Sequence, residues 1–171
     1  MGAWGADGGP FGRLLREHGV EHEVFDHRPV RDYADADAAR REAGFAGTDG
    51  KSLVFRDRLG FAVFTTLVGR RADVPGLRAA LGGGRLRLAT AEELRREVGA
   101  EPGCAYPCGF APEIRVVVDP AVYAEPWLLF SPGDPTRTVR LRGEDFRRLV
   151  AGLPNPVHEA PAAGDGRDDA P

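Results

Sequence analysis

The sequence predicts a mixed α/β domain, with many short strands and helices between them. Three observations point there. The chain has 171 residues, 42% hydrophobic and 29% charged, which suits one domain with a hydrophobic core of its own. Short β-branched and aromatic runs alternate with short stretches of helical periodicity, and glycine or proline punctuates nearly every junction. There is no internal repeat, and no apolar run approaches the ~18 residues that a membrane helix needs.

Residues 1–9 are glycine-rich and read as a flexible N-terminus; they lack the basic start and apolar core of a secretory signal. A helix is expected from Pro10 to His18, with Leu14 and Leu15 inward and Gly19 as its stop. Val20 to Phe25 reads as a strand, and Pro29 makes Asp26 to Val30 a loop. A second helix is expected from Tyr33 to Ala43, ended by Gly44. Lys51–Arg56 and Gly60–Leu67 are strand-like runs joined by the tight link Asp57–Leu59, which predicts a hairpin. Pro75–Leu81 is a short helix, and Leu86–Leu88 a short strand. Thr90-Ala-Glu-Glu93 has the form of a capping box opening a helix to Val98. Gly99 to Pro112 is a long loop, a length that usually serves function or mobility. Ile114–Val118 is an apolar, β-branched strand of the kind found at a sheet centre, and Asp119-Pro120 is a good helix start. Trp127–Phe130 and Thr138–Leu141 complete the expected strands, and Glu144–Ala151 is the last helix. Residues 10–153 thus form the expected domain, and 154–171 read as a disordered acidic tail.

The formal net charge is −3, which disfavours a broad, non-specific grip on nucleic acid. With the acids of the two ends set aside, the central part is close to neutral. It can touch a few phosphates but carries no extended basic stripe. Two cysteines without a disulfide framework fit a reducing cytoplasm.

Lysine occurs once, at Lys51, while the other 22 basic residues are arginine. A lone lysine in such a chain can mark a place where a compact ammonium is required; a solvated surface lysine is the plain alternative. It follows Gly50 at the mouth of a strand, where it can reach a phosphate or polarise an ester carbonyl. The Gly-rich run before it and the helix after it that would make a phosphate loop are both missing. Gly103-Cys-Ala-Tyr-Pro107-Cys-Gly109 can bring backbone N–H groups close to a ligand, or can simply be a turn-rich connector. His27 is a possible general base or an ordinary loop histidine. Cys104 and Cys108 lack the second half of a zinc site, and small-residue packing is the favoured reading for them.

Order and spacing add what the single features lack. His27-Arg-Pro-Val30 before an Ala-rich helix, Lys51-Ser-Leu-Val-Phe-Arg56, Leu86-Arg-Leu-Ala-Thr-Ala-Glu-Glu-Leu94, the Gly103-x-x-x-Pro107-x-Gly109 loop, the Ile114–Asp119 strand and the Phe130–Leu141 strand pair with Gly133 in its turn resemble the YbaK/EbsC family. That family comprises stand-alone relatives of the editing domain inserted in bacterial prolyl-tRNA synthetases. The resemblance spans about residues 13–150, with Ser52 where threonine is commoner. It implies a curved mixed sheet surrounded by helices. It also implies hydrolysis of the ester joining a wrong amino acid to the terminal adenosine of tRNA, with no metal or cofactor and a water oriented partly by the substrate's own hydroxyl.

By the same resemblance, Lys51 holds the tRNA end and the reacting ester. Gly103, Pro107 and Gly109 belong to the loop that gives backbone contacts, and His27, Ser52 and Gly133 are substrate-binding positions. The implied partner is the aminoacyl-tRNA acceptor end, with an aminoacyl-tRNA synthetase as a second candidate and neither membrane nor DNA. Two rival readings stand beside it: a non-catalytic aminoacyl-tRNA or synthetase-associated binding module, and a hydrolase of another activated acyl ester.

Overall fold

The hairpin at the centre of the molecule follows directly from its turn. In the computed structural model, which describes residues 8–164, strand β2 (Thr48–Asp57) and strand β3 (Gly60–Leu67) pair antiparallel with Asp57 opposite Gly60. The Asp57 carboxylate accepts the Leu59 N–H at 2.8 Å, and Gly60 takes φ +120°, a conformation that suits glycine. This turn sets the register, which places Lys51 opposite Thr66 and Ser52 opposite Thr65.

The remaining elements are helix α1 (Gly9–Glu17), strand β1 (Glu23–Asp26), helix α2 (Tyr33–Ala43), helix α3 (Val74–Ala80), strand β4 (Arg87–Leu88), helix α4 (Ala91–Glu93, continued as a π-helical turn over Leu94–Val98), strand β5 (Arg115–Val118), a 3₁₀ turn (Pro120–Ala124), strands β6 (Leu128–Phe130) and β7 (Arg137–Leu141), helix α5 (Gly143–Ala151) and strand β8 (Val157–Glu159). The strands form one mixed sheet in the order β1-β7-β6-β2-β3-β5-β8, with β4 added on β2. The β2–β6, β3–β5 and β5–β8 pairs are parallel and the others antiparallel. This is the mixed α/β domain that the sequence predicts.

Side-chain alternation splits the core between the two faces. Val54, Val63, Val116 and Val118 join Phe11, Phe130, Val139 and Phe146 on one side, while Phe55, Phe64 and Val117 meet Leu77 and Leu81 on the other. Every residue of β5 is buried, as its unbroken valines require. Two expected helix signals hold, Gly44 ending α2 at φ +78° and Thr90 with Glu93 making a full capping box, and the structure adds Asp32, which caps α2 through the Asp35 N–H at 2.8 Å. No helix among the described residues is long and apolar enough to cross a membrane.

The ends of the chain correct the expected boundaries. Residues 1–7 and 165–171 lie outside the described residues. Gly9, expected within the flexible start, is buried and opens α1. The expected disordered tail is ordered over residues 154–164. There β8 runs parallel to β5, Ala163 donates to the Arg71 carbonyl at 2.9 Å, and Ala160 and Ala162 are buried in the second core cluster. Asn155, itself buried, donates to the carbonyls of Ala111 and Ile114 at 2.8 and 2.9 Å. The physical reason is the far edge of β5: without β8 its backbone polar groups would lack strand partners. That requirement outweighs a composition that otherwise reads as unfolded.

Candidate active site

The sheet splits beside β2, and the split makes a cavity. Strand β6 pairs with β2 only at Thr48 and Asp49, and β4 only at Phe55 and Arg56. The edge between them forms one wall of a cavity of about 380 Å³, which Gly50, Lys51, Ser52, Leu53 and Val54 all line. Its other walls are His27 with residues 30–33 and the start of α2, the end of β6 with Ser131 and Asp134, residues 88–91 at the β4–α4 junction, and residues 102–105 of the long loop.

Four of the sequence-predicted residues therefore meet in one cavity: Lys51, Ser52, His27 and Gly103. Lys51 is half-buried. The Ser52 hydroxyl is engaged with that of buried Thr65 at 2.9 Å. His27 is held at both ring nitrogens, with Nδ1 2.8 Å from the Arg28 carbonyl and Nε2 2.9 Å from the Thr138 hydroxyl. Because a carbonyl only accepts, Nδ1 carries the proton, and in the neutral ring Nε2 accepts from Thr138. Gly103 has φ +82° with open space where a Cβ would stand, so it presents bare backbone at the cavity rim.

The other three expected positions stand behind the cavity. Pro107 is buried away from its walls. Gly109, at φ +106°, packs on the start of α1, where an added Cβ would lie 3.2 Å from the Pro10 carbonyl. Gly133 accepts the Glu101 N–H at 3.2 Å and so ties the long loop to the 131–135 turn. None of the three lines the cavity.

Several lining groups had no sequence signal of their own. Asp49 and Arg40 form an ion pair on the cavity wall, their side chains 26% and 12% exposed. Burial pushes the Asp49 carboxyl up from its ordinary value, Arg40 pulls it back, and Asp37 adds to the upward push. The one hint in the sequence is that Asp49 stands two residues before Lys51, on the same face of the strand. Arg31, Arg137 and Tyr33 also line the cavity. Cys104 lines it too, but burial raises its thiol despite the opposing contact with Ser131, and fully buried Cys108 is pushed up by burial alone. Both therefore stay protonated at neutral pH, which suits packing and not nucleophilic attack.

The cavity offers one ammonium, fixed guanidinium groups, exposed loop backbone and an oriented imidazole, with no activated side-chain nucleophile. Such a set can bind and polarise an already reactive ester for attack by water.

Comparison with known proteins bears on the fold and the family. No curated protein matches the sequence. Among solved structures, hypothetical protein APE2540 superimposes with a TM-score of 0.74 at 18% identity, over 90% of this chain and 99% of the other. A candidate trans-editing enzyme for prolyl tRNA synthetase superimposes at 0.68 with 24% identity, over 90% and 96%. The sequence model of the aminoacyl-tRNA editing domain matches residues 27–149, a span that includes every wall of the cavity. The chain belongs to the aminoacyl-tRNA editing domain family, the YbaK family of the sequence resemblance.

Proposed function

We propose that the protein is a trans-editing deacylase, which hydrolyses the ester of a misacylated tRNA at the cavity beside β2. The observation that supports this most directly is the extent of the family match, from His27 to Leu149, around a cavity that contains the chain's only lysine. The cavity volume of about 380 Å³ lies within the range of small-ligand sites. In this reading the terminal adenosine and its aminoacyl group enter along the β2 edge. Lys51 neutralises negative charge on the terminal nucleotide or on the developing oxyanion, and the backbone at Gly103 contacts the carbonyl or the ribose hydroxyl. Water attacks the carbonyl carbon, the bond to the ribose oxygen breaks, one proton of the water passes to the ribose oxygen and the other to solvent, and the amino acid leaves as a carboxylate. His27, fixed by Thr138 and the Arg28 carbonyl, shapes the wall beside Thr138. Selection among amino acids comes from the space between Leu53, Cys104 and Ala105, since a size sieve needs few polar groups. The reaction belongs in the cytoplasm, where charged tRNA is found, and a synthetase is a natural source of tRNA selectivity.

The test is hydrolysis of a panel of mischarged tRNAs, including alanyl- and cysteinyl-tRNA for proline, by wild type and Lys51→Ala. The expected result is release of one amino acid by wild type and a rate at least about 100-fold lower in the variant, the usual cost of removing a principal electrostatic group. Intact tRNA binding without hydrolysis of any ester would favour the binding-module reading. Hydrolysis of small acyl esters but not of charged tRNA would favour the third.

A further inference from the structure

A second depression, of about 350 Å³, lies at the other end of β2 and is lined by Arg56, Asp57, Arg58, Arg85 and Arg87. Its two neighbouring acids are committed inside the fold. The Asp57 side chain is 3% exposed and accepts two bonds from Arg115, at 2.8 and 2.7 Å. The Glu93 side chain is 9% exposed and accepts from Arg56, Arg87 and the Thr90 N–H. The guanidinium groups remain at the surface: Arg56 and Arg87 keep 43% and 50% of their side chains exposed. Arg58 and Arg85 are exposed and make no ion pair among the described residues. In a protein of net charge −3 this is a local concentration of positive charge, in the side chain whose planar fork best matches phosphate oxygens.

Its position relates it to the cavity. Arg87 is followed directly by Leu88 and Ala89, and Arg56 stands two residues beyond Val54; all three of those neighbours line the cavity. The patch therefore begins one residue from the cavity wall at Arg87 and two residues from it at Arg56, the latter about 7 Å at ~3.4 Å per strand residue.

We propose that this arginine patch holds the phosphodiester backbone of the RNA strand whose 3′ end enters the cavity. The identity of the RNA rests on the editing reading; the polyanion site itself rests on the arginines. Phosphate contacts of this kind position a strand without reading its sequence, so the patch supplies affinity while the cavity supplies amino-acid selection.

The experiment is fluorescence anisotropy with labelled, uncharged tRNA across a salt series, on wild type, Arg58→Gln, Arg85→Gln and the double variant. Arg13→Gln, on the exposed face of α1, is the control for loss of one charge elsewhere. Thermal melts check that each variant folds. Each single patch variant is expected to bind about five- to eightfold more weakly at ~0.1 M salt and to flatten the log–log salt slope by about 0.7–0.9, and the double variant to bind about 25- to 60-fold more weakly and flatten it by about 1.4–1.8. Arg13→Gln is expected to match wild type in both. Patch variants with wild-type affinity and slope would overturn the proposal, as would a wild type that does not bind tRNA or an equal loss in Arg13→Gln. If deacylation depends on Lys51 but tRNA affinity ignores Arg58 and Arg85, the patch fails and the editing reading stands. If affinity responds as expected but no charged tRNA is hydrolysed, the patch stands and the catalytic reading fails.

Discussion

Gly50→Ala is a test of how the cavity wall is built. Gly50 is not among the glycines of positive φ, so its backbone accepts alanine. At such a site alanine normally stabilises by about 0.4–1 kcal/mol, because the unfolded chain loses freedom. Here the added Cβ would lie 2.1 Å from Cε1 and 2.7 Å from Cδ1 of Phe130. The ring has little room to yield: Phe130 is 1% exposed and packs edge-on against Phe11, with centroids 5.9 Å apart, and against Phe146 at 5.2 Å. Relieving the clash must move the ring, β6 or the cavity edge of β2, and overpacking of this kind costs about 1–3 kcal/mol. For a chain of this size, each kcal/mol is worth about 2–4 °C in Tm, so the expected drop is about 2–12 °C.

The assay is thermal unfolding followed by circular dichroism, with deacylation measured on the same samples. Phe130→Leu, which replaces the ring with a smaller aliphatic side chain, is expected to offset part of the loss, giving a coupling of about 0.5–3 kcal/mol in a double-mutant cycle. A Gly50→Ala protein as stable as wild type, or more stable, would refute this account of the wall. Strictly additive effects of the two changes would refute it as well.

Three further outcomes follow from the same geometry. The paired bonds from Arg115 hold the Asp57 carboxyl below its ordinary value, although its burial opposes them. A lowered folded pKa makes its contribution complete above the ordinary carboxylate range and lost as pH falls through the folded value. The urea midpoint should therefore fall below about pH 4 in wild type and fall less steeply in Asp57→Asn; equal slopes would count against the pair. Burial pushes the Tyr106 and Tyr123 hydroxyls up to about 12, so Tyr106→Phe and Tyr123→Phe should each remove one phenolate from the high-pH phase of a spectrophotometric titration, and a loss near pH 10 would contradict their burial. Asn155→Ala leaves the Ala111 and Ile114 carbonyls without their shared donor. It should cost about 1–3 kcal/mol by urea denaturation, and a neutral effect would mean that the residues around β8 do not support the core.

The legible part of this protein is the part decided by near neighbours in the chain. Gly44 ends α2, Thr90 and Glu93 cap each other, and the Asp57–Gly60 turn sets the hairpin, all through contacts within about one turn. The valines of β5 announced a buried strand because a strand covered on both faces needs an unbroken apolar run. Lys51, His27 and the loop at Gly103 were legible as separate signals, and family order joined them and added Ser52. Long-range geometry decided the rest. That β6 and β4 leave the middle of β2 open, and so create the cavity, depends on pairings between segments far apart in sequence. Composition alone suggested that residues 154–164 would not fold, but the edge of β5 supplied them with backbone partners. Pro107, Gly109 and Gly133 belong to the expected motif, yet none lines the cavity; Gly109 packs on the start of α1 and Gly133 accepts the Glu101 amide, both on other elements. The sequence by itself determined most of the elements, β8 excepted, and the chemical groups available. Which groups share one space was left to tertiary packing, because that depends on contacts whose partners no local pattern encodes.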